Sequence, residues 1–580
     1  MKRYLALCLI VALGLLLRVY NLGDYAPYVD EKFTLLNAQG VSVGGANQPE
    51  ILNNTYFTPQ DFWKPKKLED FFGAVARSDF GTHIVYNLLL HQWIKVFGLS
   101  DFYVRLLSAL INTLTIVLLF MMVRHFLRSN TVALFAALLL AVEPLNVAQS
   151  HMARSYTLSF FLVVAASYIF LLLLKEQRNN RKVLYLVVYT LLASMSLLNH
   201  YLNFLILVSH ALICLMYERG ARNWILMSIA GVVSGGVLIW WLTAGGGQYS
   251  LKFLEDKNAL HYKIAHMPQD QNPLRGIVDP INFKSVSTKV VDIFYDMNSL
   301  SNGLYNSVMG IRNFFVSLLL FGLILFIANR IKNARLIHAL GALVPAVAMF
   351  FLYTGSKLDL FLVLFSYYIL LLFIRWLKDR YHNLESSALK MVMLAVLMYI
   401  LPMAYIIFDA LKSGHTTSLS QRYIGMSIPF VIIIYAIGLR EAFRKGMVVQ
   451  VLTVCFLLLQ GYHLLRTNVN IVRDTSPKYT YFGKPRMPNP YHLTADRITK
   501  LYSEGDTVLI PSQNSSLYSG VVGEERTKGI TDAQYINLYL PKDARIIQRI
   551  DMDEPDKVFI KHKNGSRTLI FDFKGLTYRY

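Results

Sequence analysis

Two adjacent carboxylates, Asp30 and Glu31, stand in the stretch RVYNLGDYAPYVDEKFTLLNAQG, with Lys32 beside them, just past the first apolar run of the chain. Acidic side chains close to lipid are expensive and are kept where they have a task. One such task is general-base work, in which a carboxylate takes the proton of a hydroxyl as its oxygen attacks. If the group displaced is a phosphate, cations or a divalent metal must neutralise the charge that develops on it. A second reading is purely structural, because acids in the first turn of a helix complement its dipole.

Cations suited to a phosphate occur at Arg105 in FYVRLLSAL, Arg154 in QSHMARSYTL and Arg422 in QRYIGMSIPF. The guanidinium fork presents several donors at once to phosphate oxygens. Snorkelling to lipid headgroups is the competing explanation for each. His83, in SDFGTHIVY, is a further candidate for the phosphate. Asp79, Lys32, His151, Tyr156 and Tyr423 complete a candidate substrate pocket. Asp30, Glu31 and Asp79 could supply oxygen ligands to a divalent metal, although no spacing demands one, and no cofactor is required. The chain has no HExxH, Walker loop, GxSxG or GxGxxG after a strand, so NTP-driven transport and soluble-type hydrolysis find no support.

These residues need elements to hold them, and the composition says which. Of 580 residues, 54% are hydrophobic and only 16% charged. Long, nearly charge-free runs recur through the first 465 residues, which makes this a polytopic membrane protein. The net charge of +21 then reflects cytoplasmic loops and anionic lipid rather than nucleic acid. The three cysteines, Cys8, Cys214 and Cys455, lie in apolar runs and imply neither a disulfide framework nor zinc.

Basic clusters from Lys2-Arg3 to Arg440–Lys445, all taken as cytoplasmic, set thirteen spans: 4–20, 104–123, 131–149, 155–174, 183–198, 202–217, 224–243, 312–329, 336–354, 358–376, 389–409, 423–440 and 448–465. The N-terminus is then inside and the C-terminus outside. Residues 83–98 break this alternation and read as an interfacial amphipathic helix anchored by Trp93. Two external loops follow: an acidic one (21–103), and one (244–311) that opens with a flexible AGGGQ. Residues 1–465 form the transmembrane unit. Residues 466–580 form a linker and a small external α/β domain with a helix near 489–502 and strands at 507–511, 545–550 and 568–573.

At these residues the chain resembles the GT-C superfamily of membrane glycosyltransferases, in particular the protein O-mannosyltransferase-like branch that includes lipid A aminoarabinose transferases. The pieces are LRVYNLG, VDEKFTLL, SDFGTHIVYNLLLHQWIKVFG, VRLLSAL, MARSYTL, LLNHYLNFLIL and QRYIGMSIPF, in family order over most of residues 1–440. The chain departs from the family where His83-Ile84-Val85 replaces a His-Pro-Pro or Lys-Pro-Pro run, which changes the local backbone. The resemblance implies a polyprenyl-phosphate monosaccharide donor, and a protein, lipid or glycan acceptor met on the outer face of a bacterial inner membrane. It also implies that Asp30 is the catalytic base with Glu31 its neighbour, and that His83, Arg105, Arg154 and Arg422 hold the donor phosphate. The expectation is an inverting transfer to an acceptor hydroxyl or phosphate. The alternative is a flippase or transporter of lipid-linked sugars, which should show broken helices and polar residues at the bilayer midplane.

Overall fold

A computed structural model of the chain describes residues 2–52, 56–78, 81–304, 310–332, 336–476, 478–479, 485–511, 513–514, 527–528, 530–551 and 553–576. Asp79, one of the candidate pocket residues, lies outside the described residues. The protein is a polytopic helical membrane protein with a small C-terminal sheet domain.

The N-terminal part of the chain is helical in pieces: α1 (Lys2–Val19), then α2 (Val29–Asn37), α3 (Leu68–Ser78) and α4 (Ile84–Phe97) in the loop that follows it. The bundle continues with α5 (Asp101–Leu127), then the pair α6 (Asn130–Ala141) and α7 (Pro144–Ser150), bent by 54° at a break that holds Pro144. After it come α8 (Tyr156–Lys175), α9 (Asn179–Asn199), α10 (Phe204–Tyr217) and α11 (Ala221–Thr243). The second loop carries α12 (Ser250–Ala265) and α13 (Phe283–Asp296). The remaining apolar helices are α14 (Ile311–Lys332), α15 (Leu336–Leu352), α16 (Lys357–Arg380), α17 (Ser386–Ser413), α18 (Ile428–Ala442) and α19 (Met447–Val472).

Each expected span overlaps one of these helices, but 131–149 is divided between α6 and α7, and 423–440 begins ahead of α18. Among the described residues, nine helices are long and apolar enough to cross a membrane, or ten with the bent pair counted once. α18 is the axis of the bundle, buried on every side against α6, α16 and α17. Gly438 allows that fit, since a Cβ there would lie 2.7 Å from the Ile369 side chain and against the backbone of α16. Polar ties reinforce the packing. Buried Arg18 donates to Asn112 and to the carbonyls of Gly14, Leu140 and Ala141, which locks α1 to α5 and α6.

The C-terminal domain starts at α20 (Pro490–Leu501), capped by the Asn489 side chain. Strand β1 (Thr507–Pro511) is followed by a two-residue ladder, β2 (Gln513–Asn514) with β3 (Thr527–Lys528), and then by α21 (Ile530–Tyr539). Strands β4 (Gln548–Asp551), β5 (Lys557–Lys561) and β6 (Arg567–Asp572) complete a sheet of order β4-β1-β5-β6, with only the β1/β4 pair parallel. This domain does not stand apart. Its core merges with the first loop in one apolar cluster that unites Leu35, Leu36, Phe57 and Phe62 with Tyr491, Tyr535 and Ile536. Backbone bonds between Phe57 and Gln548, in both directions, extend the sheet edge into that loop.

The AGGGQ turn is not the loose tether its composition suggests. A Cβ on Gly245, Gly246 or Gly247 would run into the ring of Trp241, at 2.5, 2.7 and 2.6 Å. The glycines are there for close packing.

Candidate active site

Helix α2 has nine residues, too few to persist alone, so its surroundings set its orientation. Successive residues on a helix point about 100° apart. Asp30, Glu31 and Lys32 therefore reach three different neighbours.

Asp30 keeps some contact with solvent, its side chain 29% exposed, and its Oδ2 lies 3.7 Å from Arg422. That is an ion-pair distance but longer than a hydrogen bond. Arg154 approaches the same point, donating to the Asp30 carbonyl at 3.1 Å and to Thr34 Oγ1 at 2.8 Å. Two cations from distant parts of the chain thus meet at Asp30, Arg422 at its carboxylate and Arg154 at its backbone carbonyl. Tyr156, on the first turn of α8, shares this surrounding with Arg422, Asp30 and Arg154. Arg422 lies over the ring of Tyr423, 5.0 Å from its centroid.

Glu31 is placed very differently. Its Oε1 accepts from Arg105 Nε and from the Ala153 amide, both at 2.8 Å, and its Oε2 accepts from the Tyr28 amide at 2.8 Å. Arg486 sits 3.8 Å away. Burial alone would raise the Glu31 carboxyl, but the Arg105 and Arg486 guanidiniums and the Ala153 amide together hold it below the usual range. Fully buried and saturated, Glu31 has no lone pair directed at a substrate. The expectation of a catalytic pair therefore narrows to Asp30.

Arg105 departs from its expected place as well. Its Nε donates to Glu31, one terminal nitrogen donates to the Leu22 and Tyr25 carbonyls, and the other to the Ala26 carbonyl and Glu31. All five donors are used and the side chain is 1% exposed, so none faces a phosphate. Arg105 fastens the 22–31 turn to α5. His151 is similar: its Nε2 bonds the Leu17 carbonyl at 2.9 Å and so ties α1 to the turn after α7. Lys32 turns away from Asp30 into the C-terminal domain, 4.9 Å from the Tyr491 ring and 5.5 Å from that of Tyr535.

His83 lies in the left-handed region, at φ 71°, immediately before α4. Such strain at a non-glycine residue gathers at functional sites. Its Nδ1 contacts Thr82 Oγ1, its ring packs edge-on against His200 at 5.5 Å and Tyr156 at 6.4 Å, and its buried Nε2 has no partner. Burial, then Arg154 and His200, push its basicity well below the ordinary histidine value. His83 is thus a neutral imidazole beside the Arg154 end of the site.

Two contributors escaped the sequence. Helix α12 of the second loop brings Lys257 and His261 toward Arg422 and Tyr423. It docks through His415, whose Nε2 meets Asn258 Oδ1 at 2.7 Å and whose ring lies 5.6 Å from that of His261. His261 is pushed down to about 4, by burial first and then by Lys257. The signal was the i, i+4 spacing of Lys257 and His261 within an otherwise unremarkable amphipathic helix. Behind Arg422, Gln421 donates to Asp292 at 2.7 Å and to Asp296 at 3.2 Å, and Lys478 pairs with Asp296 at 2.8 Å.

No group of three or more His, Cys, Asp or Glu side chains is arranged to hold a metal among the described residues. Two cavities, of about 350 Å³ beside Tyr56 and Thr507 and about 210 Å³ beside Cys214 and Trp224, are lined by none of the residues around Asp30.

Residues 83–244 match the family model described as dolichyl-phosphate-mannose-protein mannosyltransferase. No curated protein matches the chain. Among solved structures, the chain is similar to the archaeal oligosaccharyltransferase AglB from Archaeoglobus fulgidus, in complex with an inhibitory peptide and a dolichol-phosphate. Identity there is 14%, the TM-score is 0.44, and 94% of this chain covers 61% of that one, so the chain spans about three fifths of its length. It is also similar to ArnT from Cupriavidus metallidurans bound to undecaprenyl phosphate, at 12% identity and a TM-score of 0.37, over 92% of this chain and 89% of that one. The match to the family model spans residues 83–244, the segment that carries His83, Arg105, Arg154 and Tyr156.

Proposed function

We propose that this protein is an inverting glycosyltransferase that moves a monosaccharide from a polyprenyl-phosphate carrier to an acceptor hydroxyl or phosphate on the outer face of the membrane. The observation that carries the reading is the meeting of two arginines at Asp30, Arg422 at its solvent-touching carboxylate and Arg154 at its backbone carbonyl, at the end of an apolar bundle. The matching family's description names a lipid-phosphate sugar as donor.

In this reading the donor phosphate lies against Arg422 and Arg154, with Lys257 adding positive charge. Asp30 accepts the acceptor's hydroxyl proton as that oxygen bonds to the anomeric carbon. The bond from that carbon to the phosphate oxygen breaks on the opposite face, and the electron pair leaves with the phosphate, where the guanidiniums stabilise it. Inversion follows from the single displacement. Neutral His83 and the Tyr156 ring border the sugar, offering a hydrogen-bonding nitrogen and a stacking face.

One feature speaks for the carrier alternative. The α6/α7 break places a fully buried carboxylate, Glu143, bonded to Asn146 and Asn302, inside the bundle. Purified protein in proteoliposomes, given a synthetic polyprenyl-phosphate monosaccharide, separates the two. Glycosylated acceptor and free polyprenyl phosphate uphold transfer; movement of intact donor between leaflets without cleavage overturns it.

A further inference from the structure

The C-terminal domain reads in sequence as an appendage of unassigned purpose, yet it reaches into the candidate site's own helix. Many of its ties run to other parts of the first external segment. Gln534 donates to the Ser42 carbonyl and to Gln48, Trp63 donates to the Asn537 carbonyl, and Asn489 and Tyr539 both donate to Asp101. Two polar ties run to α2 itself: Arg486, in the segment just before the domain, beside Glu31, and the ring cage of Tyr491 and Tyr535 around Lys32.

Lys32 is 2% exposed. A buried ammonium is tolerated only where something compensates it. Here the faces of two tyrosine rings do so, and Tyr491 is itself fixed by its hydroxyl bond to Asp532 at 3.1 Å. Lys32 stands two residues after Asp30 on a helix of nine, so the rotation that puts Lys32 in its cage is the rotation that turns Asp30 toward Arg422. Glu31, between them, is held by Arg105. The helix is thereby fixed from three directions, one of which belongs to the C-terminal domain.

We propose that Lys32 is a positioning residue: caged by Tyr491 and Tyr535, it makes the C-terminal domain the part that aims Asp30 at the donor-phosphate arginines. This rests on the glycosyl-transfer reading of Asp30. Lys32 touches neither donor nor acceptor, and it acts on turnover through the orientation of α2. Substrates binding at Arg154 and Arg422 are left alone.

The test uses the full chain in lipid nanodiscs, with Lys32→Met, Lys32→Arg and, as a control on a domain contact made to Ser42 and Gln48 rather than to α2, Gln534→Ala. Turnover is measured with a synthetic polyprenyl-phosphate monosaccharide. In parallel, Asp30→Cys is introduced into the wild-type, Lys32→Met and Lys32→Arg backgrounds, and the rate of its labelling by a small charged thiol reagent is read without any turnover. Misplacing a reacting group by about 1 Å costs up to about 100-fold in rate, so Lys32→Met should lower kcat by about 10- to 100-fold. Donor KM should stay within about twofold, because ground-state binding is untouched. Lys32→Arg should recover most of kcat, Gln534→Ala should match wild type, and labelling at position 30 should shift in Lys32→Met but not in Lys32→Arg. The proposal is overturned if Lys32→Met turns over like wild type, if Gln534→Ala loses as much, or if labelling at position 30 ignores Lys32. A labelling shift in a protein that never transfers sugar upholds the positioning and sinks the transferase reading instead.

Discussion

Asp30 and Glu31 are adjacent in sequence and opposite in circumstance: Asp30 faces Arg422 at 3.7 Å with part of its carboxylate in solvent, whereas Glu31 is sealed against Arg105 at 2.8 Å. Their substitution should separate chemistry from stability. Asp30→Asn is expected to insert and fold normally while losing about 100- to 10,000-fold in sugar transfer, the usual worth of a positioned base. Glu31→Gln leaves a buried guanidinium facing a neutral amide, at about 3–5 kcal/mol. Thermal unfolding in detergent should show the loss for Glu31→Gln and not for Asp30→Asn.

The arginines should divide in the same way. Arg422→Gln removes charge-assisted bonds to the donor, each worth about 1.5–3 kcal/mol, and is expected to raise donor KM by roughly 10- to 100-fold with the fold intact. Arg105→Lys keeps the charge but cannot serve both Glu31 oxygens and the carbonyls of Leu22, Tyr25 and Ala26. Its expected result is a low yield of folded protein, read by size-exclusion chromatography. If Arg105→Lys folds well and only donor KM rises, Arg105 belongs with the phosphate after all.

His83 makes a pH prediction. Burial and the nearby Arg154 hold its folded-state basicity well below the 6.5 of an ordinary histidine. As pH falls through and below 6.5, the unfolded chain gains a proton at this position that the folded chain refuses, so stability drops in that direction. Above that value the group contributes no slope. His83→Gln should flatten the acid limb of the melting temperature plotted against pH, and an unchanged limb would mean that His83 titrates freely.

Gly81 joins the loop ahead of α4 to the one after α11. Its carbonyl accepts from Trp241 Nε1 at 2.7 Å and from the Tyr201 hydroxyl at 2.9 Å, and its φ is +67°. A Cβ there would lie 2.5 Å from the Gly247 Cα. Gly81→Ala should cost about 1–3 kcal/mol from overpacking, with backbone strain in addition. Limited proteolysis would detect this as faster cleavage near Gly245–Gly247.

Much of the scaffold was legible, because a bilayer imposes long apolar runs and charge asymmetry that a one-dimensional string displays. The meeting of Asp30, Arg154 and Arg422 followed from putting each at the same end of its span. What the string could not show is where an arginine spends its donors: Arg105 looked equivalent to Arg154 until the carbonyls of Leu22, Tyr25 and Ala26 appeared around it. Lys32 seemed to belong with Asp30 because they are close in sequence, but helical rotation turns it elsewhere. Lys257 and His261 were missed because a balanced loop helix gives no sign of which face it covers. The AGGGQ turn looked pliant because the same residue that permits bending also permits an indole ring to pass close by.

The cage around Lys32 has a consequence for how the protein is made. A ribosome delivers that lysine long before Tyr491 and Tyr535 exist, so during most of translation the short acidic helix waits at the membrane surface without its counterpart. The surroundings of α2 are finished as one of the last acts of folding, when the trailing domain closes onto residues made at the beginning. On the proposed reading, a chain stalled or clipped ahead of Pro490 lacks the rings that orient Asp30, so no half-made transferase is set loose on its carriers.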